Sequence, residues 1–539
     1  MFQNIKYFGA TNKTINSQIC IKVSNKTAKS IGLGGSISVI LCAMIGIGIF
    51  FKNKTVFINN NNNPYGIILS WVLAFIIAIA TAYTYGEISR CQTKVEGSGI
   101  SGWAERYVGY NHGRFLKLFY SLFCYPIKAV AISIYTAEVL LNINPAWSSP
   151  NKIECNFGFV LLISFCLLLS FVLINFLSSK AGNKLSKVFI YTKFLPILMI
   201  IVCGIVVSCL SNEGNLFHKV NESPFTMTGV LNSLPGILFA FDAFLVVGNI
   251  AQDVKSPTKN IPLSIVISMV IAGIIYISIT ISQIFAGVGE PFALFNKMFG
   301  NSKVGNTTIN ILFSVALCSC MIGAMNIHVY SGIGSLQAAI DEEIIIGSKS
   351  LKRLTNGKQK NFAAVCVISC IYLFLYAILG IPSFFMQTDQ IYDGLTNTLV
   401  VFVFLNYGLI AFMSIINRKI NRIPASEVSH QKGQCIAASI STIGCLFVAC
   451  YGMFYQFMYD PIVDGNNKFI SWGLFFNNET VLTKGMNKWI ASILFWCIAV
   501  LIFLIPLFHD LLIKCFNPTY NQSLIFEVNI NKKVKIISI

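Results

Sequence analysis

Charge is scarce in this chain: 11% of its 539 residues are Asp, Glu, Lys or Arg, while 55% are hydrophobic. A water-soluble enzyme of ordinary composition carries about 25% charged residues, so that class is excluded, and a mean hydropathy of +0.69 indicates a polytopic membrane protein. Acidic residues are scarcer than basic ones, 21 against 39, for a formal charge of +18. The basic residues form neither one patch nor one run, which argues against a nucleic-acid partner. Histidine is rare, with 5 residues, and neither it nor cysteine shows ligand spacing, so no metal site and no cofactor is expected. Gly32-Leu33-Gly34-Gly35 lacks the preceding strand and the following Lys-Ser/Thr of a phosphate-binding loop. No cluster of acids, His or Lys suits a membrane-embedded acyl or glycosyl transferase, and no catalytic residue is assigned. The first thirty residues are polar and lack an apolar h-region, so no cleavable signal peptide is expected and insertion should rely on the first span.

What the chain has in abundance is apolar runs of about 20 residues, the length that crosses a bilayer as a helix. Twelve are predicted: Gly34–Phe57, Tyr65–Ile88, Phe115–Leu141, Phe157–Leu177, Val188–Leu210, Gly229–Ile250, Ile261–Gly287, Thr307–Gln337, Phe362–Ile381, Thr396–Ile416, Cys435–Phe457 and Trp489–Leu512. The expected fold is an all-α integral membrane protein. Its domains are a cytoplasmic N-terminal segment over 1–33, a transmembrane unit over 34–514 and a cytoplasmic tail over 515–539.

Lys and Arg set the expected orientation. The stretch before the first span carries Lys6, Lys13, Lys22, Lys26 and Lys29, and every second loop after it is basic, as in Lys180, Lys184 and Lys187 or Lys349, Lys352, Arg353, Lys358 and Lys360. The alternate loops are poorer, with single lysines at Lys152 and Lys219. Both termini are therefore expected in the cytoplasm, which requires an even number of spans. The tail carries Lys532, Lys533 and Lys535, suited to anionic lipid. The longest outer connection, Met458 to Lys488, is polar enough to fold a small cap, and Asn59 to Asn63 reads as a flexible outer loop. Most of the 17 cysteines fall inside spans and read as small apolar fillers, and only Cys155 approaches the outside.

Two spans are interrupted at their centres, the first by Ile45-Gly46-Ile47-Gly48-Ile49-Phe50 and the sixth by Phe239-Ala240-Phe241-Asp242-Ala243-Phe244. Glycines let a membrane helix unwind, and backbone groups freed at bilayer depth persist only where they face a cavity or a ligand. Paired broken helices are how many secondary transporters build a substrate site. The outer half of span one, beginning near Gly48, would present unpaired N–H groups and a positive dipole end to a carboxylate. The halves that stop near Gly46 and Phe241 would present carbonyls to an ammonium group. Side chains from spans three, six, eight and ten are left to choose among cargoes, with Phe241, Phe244, Tyr125 and Asn326 as expected liners.

These residues carry a resemblance. The span-six stretch, followed by Ala251-Gln252-Asp253-Val254-Lys255-Ser256-Pro257 and Asn260-Ile261-Pro262, resembles the sixth span and following segment of the amino acid-polyamine-organocation superfamily of permeases. Ile45 to Phe50 is similar to its first-span signature, and Tyr83-Thr84-Tyr85-Gly86-Glu87-Ile88 with Glu96-Gly97-Ser98-Gly99 is similar to the end of its second span. The resemblance covers spans one to ten. It implies two inverted repeats of five helices with spans eleven and twelve added, and an amino acid or related amine as cargo. The chain departs from the family where Ala243 replaces a usual Gly, where Gln252 replaces a common acidic residue, and where span eight lacks an Arg soon after Asn326.

Charges inside the spans are expensive and ask for partners. Asp242, at the break of span six, is expected either to meet a cargo ammonium, a cationic side chain or a proton, or to cap the second half of that helix. Lys193, in span five, resembles a lysine that some proton-coupled or exchanging family members place beside the first helix, where sodium-coupled relatives bind an ion. A buried amine there is a coupling candidate, and the alternative is snorkelling to the interface. Lys128 and Glu138 in span three are too far apart to pair on one helix, so each needs a partner elsewhere, an internal ion pair being the expected fate of Lys128. His328 is either a proton relay or a hydrogen-bonding link between helices.

The expected function is a plasma-membrane amino acid permease working by alternating access, proton-coupled or exchanging, with substrate residues Ile45, Gly46, Ile47, Gly48, Ile49, Phe239, Phe241, Asp242, Phe244, Tyr125 and Asn326 and coupling residue Lys193. Its expected partners are a small amino acid, the lipid bilayer and a coupled proton. Asp242 favours neutral or cationic amino acids. The competing expectations are an amino-acid sensor that binds without transport, and a transporter of polyamines or other organic cations. The sequence does not fix the oligomeric state.

Overall fold

A computed structural model describes residues 31–91, 99–142, 157–177, 179–210, 215–299, 302–355, 361–387, 389–428 and 430–464, with scattered positions between 493 and 513. Among them the protein is helical, and its β-structure is a single isolated bridge between Ile31 and Val254. Ten helices are long and apolar enough to cross a membrane, and one further pair, Leu33–Met44 and Gly48–Asn59, passes as a span bent by 48°. These coincide with the first eleven predicted spans. Some described helices run a few residues longer than the apolar runs, as in Val304–Asp341 for span eight and Phe362–Met386 for span nine, while span four matches at Phe157–Leu177 and span five is shorter at Tyr191–Leu210. The predicted twelfth span, most of the 458–488 connection, Cys155 and both terminal segments lie outside the described residues.

Burial sorts the spans into centre and periphery. Span six is 83% buried over its apolar window and span three 78%, whereas spans four and nine are 33% and 22% buried. The peripheral helices spend their apolar surface on lipid, as Leu162, Leu173 and Leu177 of span four illustrate. Helices solve the bilayer's main constraint by satisfying backbone groups internally. The centres of spans one and six leave the helix.

Span one runs as a helix over Leu33–Met44, passes through Ile45 and Gly46 in non-helical conformation, and resumes over Ile47–Asn59. Span six is α-helical over Met227–Phe241, leaves the helix at Asp242, and continues as a 3-10 helix over Val246–Asp253. Ala243 stands in this break with φ +71°, a left-handed conformation that glycine enters freely and alanine does not. That is the physical reason a glycine suits the position.

Polar groups buried between helices fix their register. Asn53 of span one accepts from Trp71 Nε1 at 2.9 Å and donates to Gln283 of span seven at 2.6 Å. Asn60 donates to Ser70 at 3.3 Å and Ser233 at 3.1 Å, joining spans one, two and six. At the basic end, Glu87 receives Arg418 at 2.6 Å and the Gln431 backbone at 2.7 Å, while Arg106 pairs with Glu427 at 2.8 Å. Beside that pair, burial outweighs the pull of Arg106 and pushes the Cys91 thiol up to about 11. Ile31 is stitched to the far end of span six by Ile31 N to Asp253 O at 3.0 Å and Lys255 N to Ile31 O at 2.8 Å.

Candidate functional site between the two helix breaks

The breaks of spans one and six meet at one cavity of about 50 Å³, smaller than the roughly 300–1,000 Å³ usual for small-molecule sites. Spans one and six contribute Gly46, Gly48, Phe239 and Asp242 to its wall. Span three adds Lys128 and Tyr135, span eight Ala324 and His328, and span ten Thr396. Close approach of the two broken helices depends on Gly48, since a Cβ there would lie 2.9 Å from Ala240 Cα and 3.0 Å from Ala240 Cβ. Real Cβ atoms do not pack that tightly against a backbone.

The helix that begins at Ile47 is capped by Gly46, which offers no side-chain hydrogen bond to the first N–H groups. An N-terminus left in this way carries a partial positive charge and several donors. It opens where Gly46 and Gly48 line the cavity.

The opposite half is better satisfied than the sequence implies. Lys193 is wholly buried, and its ammonium donates to the carbonyl of Cys42 at 2.6 Å and to that of Ile45. This overturns the snorkelling alternative: burial against a broken helix gives the amine carbonyl partners that an interface would otherwise supply. Tyr276 of span seven places its hydroxyl 3.0 Å from the carbonyls of both Met44 and Ala240. The break carbonyls are therefore partly claimed by protein donors.

Asp242 is buried and ion-paired with Lys128, and its other oxygen accepts from the Tyr407 hydroxyl at 2.9 Å. The internal ion pair expected for Lys128 is present, and its partner is the aspartate at the break. The helical segment after the break has Leu245 at its N-cap position and no side-chain cap bond, so capping that segment is not the role Asp242 plays. Glu138 is also fully buried in span three.

Of the other residues singled out from sequence, Phe239 lines the cavity and Ile45 and Ile49 are buried beside it. Ile47 contributes the first residue of the second half-helix of span one. Phe241 turns away, packing its ring against Trp71, Phe75 and Tyr276. Phe244 packs against Tyr85 and Tyr407. Tyr125 accepts a hydrogen bond from Asn249, and Asn326 accepts from Asn175 at 2.8 Å. None of these four is in the cavity wall. Tyr135, Ala324 and Thr396 were not foreseen, because uncharged residues in apolar helices carry no signal of which way they face. His328 is in the wall, and its Nδ1 is buried without a hydrogen-bond partner among the described residues. Among the described residues no group of three or more His, Cys, Asp or Glu could hold a metal ion.

Outside the cavity wall, the Tyr330 hydroxyl donates to Asp253 at 2.5 Å. Tyr330 follows Asn326 by one helical turn, and its hydroxyl joins span eight to the end of span six.

Comparison with known proteins identifies the family. A serine/threonine exchanger of Bacillus subtilis is 24% identical over 309 residues, covering 56% of this chain and 66% of the exchanger. A glutamate/serine transporter of the same bacterium is 24% identical over 375 residues, covering 63% and 65%. The human large neutral amino acids transporter small subunit 2 is 26% identical over 299 residues, covering 54% of each chain. The chain thus spans between about half and two thirds of the length of these curated relatives. The amino acid permease family matches residues 31–470, which hold both helix breaks and the whole cavity wall. A multi-pass membrane protein with this match is a permease-family protein and not an enzyme: the chain belongs to the amino acid permease family, within the amino acid-polyamine-organocation superfamily.

Proposed function

We propose that this protein is a secondary transporter that carries amino acids across the plasma membrane by alternating access. The observation that carries the reading is the junction of an uncapped helix N-terminus at Gly46 and Gly48 with the break of span six at one cavity. The donors at the start of the outer half of span one receive the cargo carboxylate, as helix N-termini receive anions elsewhere. Carbonyls at the breaks, together with polar wall residues, receive the cargo ammonium. The cargoes printed in the relatives' names, serine, threonine, glutamate and large neutral amino acids, support an amino acid as substrate.

In this reading the first ten spans form two inverted repeats of five helices, with two further spans added, and the basic end of the bundle faces the cytoplasm together with both termini. Lys193 is the coupling residue. Its ammonium bridges span five to the broken centre of span one, where it can hold or release that junction. Transport is then proton-coupled or an exchange of one cargo for another.

The test is uptake by proteoliposomes across a panel of amino acids, with proton and sodium gradients imposed separately. Saturable uptake of at least one amino acid is expected, responsive to the proton gradient or to preloaded counter-substrate and indifferent to sodium. Binding of an amino acid with no uptake under any gradient would overturn transport and leave a sensor.

A further inference from the structure

The charges in the cavity wall cancel in a specific way. Lys128 and Asp242 are 7% and 4% exposed, come from different spans, and pair with each other while both line the cavity. One oxygen of Asp242 is bound by Lys128, and the other by Tyr407. The backbone N–H of Ala243 also donates to the carboxylate. Two further described cations near the wall residues are engaged elsewhere: Lys193 on the carbonyls of Cys42 and Ile45, and Lys52 with its ammonium 5.3 Å from the centre of the Phe239 ring.

A charged side chain entering such a cavity loses its water and, among the described charged residues of the wall, meets Lys128 and Asp242 already paired with each other. An ammonium that approached Asp242 would also face Lys128, and a carboxylate that approached Lys128 would also face Asp242. Like-charge juxtaposition in a desolvated site is strongly unfavourable, and a buried ion whose partner is removed is left uncompensated. Resting on the reading of this cavity as an amino acid site, we propose that the Lys128–Asp242 pair sets the charge class of the cargo: intact, it admits amino acids with uncharged side chains, and loss of either member turns the site toward cargo bearing the missing charge. Asp242 thus acts against cationic cargo while Lys128 is present, reversing what its charge alone suggests. A polyamine, with no carboxylate for the start of the outer half-helix and only positive charge to offer, is excluded by the same pair.

The experiment is competition for uptake in proteoliposomes, using as labelled cargo the amino acid most strongly taken up by the wild-type protein. Competitors are serine, leucine, lysine, putrescine and glutamate, applied to the wild type, Lys128→Met, Asp242→Asn and the double variant. In the wild type, only serine or leucine should compete. Lys128→Met should strengthen competition by lysine about tenfold or more, and Asp242→Asn should do the same for glutamate. The double variant should return to the wild-type preference. Ligand-induced shifts in melting temperature, read on detergent-purified protein, provide a measurement that does not need transport. If a single variant fails to fold, the double variant and Lys128→Arg still test the claim, since both must keep the neutral preference. Wild-type protein inhibited equally by lysine and serine overturns the proposal, as does either folded single variant with an unchanged competitor ranking. A wild type that neither binds nor transports any amino acid overturns the functional reading itself rather than the role of the pair.

Discussion

The hydroxyl of Tyr276 lies 3.0 Å from the carbonyl oxygen of Met44, and at the same distance from that of Ala240, so one side chain of span seven ties the last turns of both broken half-helices together. Carbonyls at membrane depth have no water to turn to. Replacing Tyr276 with Phe keeps the ring that packs against Trp71 and Phe241 and removes only the donor. The expected cost is about 1–3 kcal/mol, the penalty for leaving a buried acceptor unsatisfied. It should appear as a lower melting temperature in detergent and as weaker cargo binding, and an unchanged protein in both measurements would show that the hydroxyl is dispensable.

Gly48 is the point where the two breaks touch. Because a Cβ there would sit 2.9 Å from the Ala240 backbone, Gly48→Val must push the half-helices apart. Membrane insertion depends on the hydrophobicity of the span and should survive, whereas cargo affinity should be lost. Quantifying surface or membrane-fraction protein alongside binding separates the two, and near-normal affinity would remove Gly48 from the site.

Ala243 holds a left-handed φ of +71° that costs an L-residue about 1–2 kcal/mol. Ala243→Gly should therefore stabilise the folded protein by about 1 kcal/mol, less the larger freedom that glycine gives the unfolded chain. Thermal unfolding with and without cargo would register it, and a lowered melting temperature would contradict the strain argument.

For Lys193, the decisive variable is pH. Lys193→Ala removes the ammonium that holds the Cys42 and Ile45 carbonyls, and uptake by this variant should no longer depend on external pH. A pH profile that keeps the wild-type shape would exclude Lys193 as the coupling group, whatever the residual rate.

Cys91 offers a check outside the membrane spans. Its thiol is held up to about 11 by burial, so it stays protonated through neutral pH. Alkylation by iodoacetamide, followed by peptide mass mapping, should be slow at pH 7 and rise about tenfold per pH unit up to that value, because the thiolate is the reactive form. Rapid labelling at pH 7 would mean that the packing around Arg106 and Glu427 is looser than described.

Much of this was legible in the amino-acid order because the bilayer enforces a simple rule: long apolar runs become helices. The first eleven spans follow from that rule, and the breaks follow from Gly46, Gly48 and Asp242, which are costly residues in the middle of apolar helices. Lys128, Lys193 and Asp242 stand out for the same reason. What the order does not reveal is facing. Phe241 and Phe244 flank Asp242 and could have lined the cavity, but the chain leaves the helix at Asp242, and both rings are swept into packing against spans two, seven and ten. Tyr135 and Thr396 reach the cavity only because their helices happen to be rotated toward it. The pairing of Lys128 with Asp242 joins residues more than a hundred positions apart, a relation that only the packing of span three on span six creates.

The stitch of Ile31 to Asp253 and Lys255 has a mechanical consequence. Two backbone hydrogen bonds anchor the entry to span one onto the exit from span six, and Tyr276 links the same two helices again at mid-depth. The first link holds the segment after the span-six break and the second the helix before it. Any opening at the basic end must carry Ile31 along with Asp253 and Lys255 or first part their two hydrogen bonds.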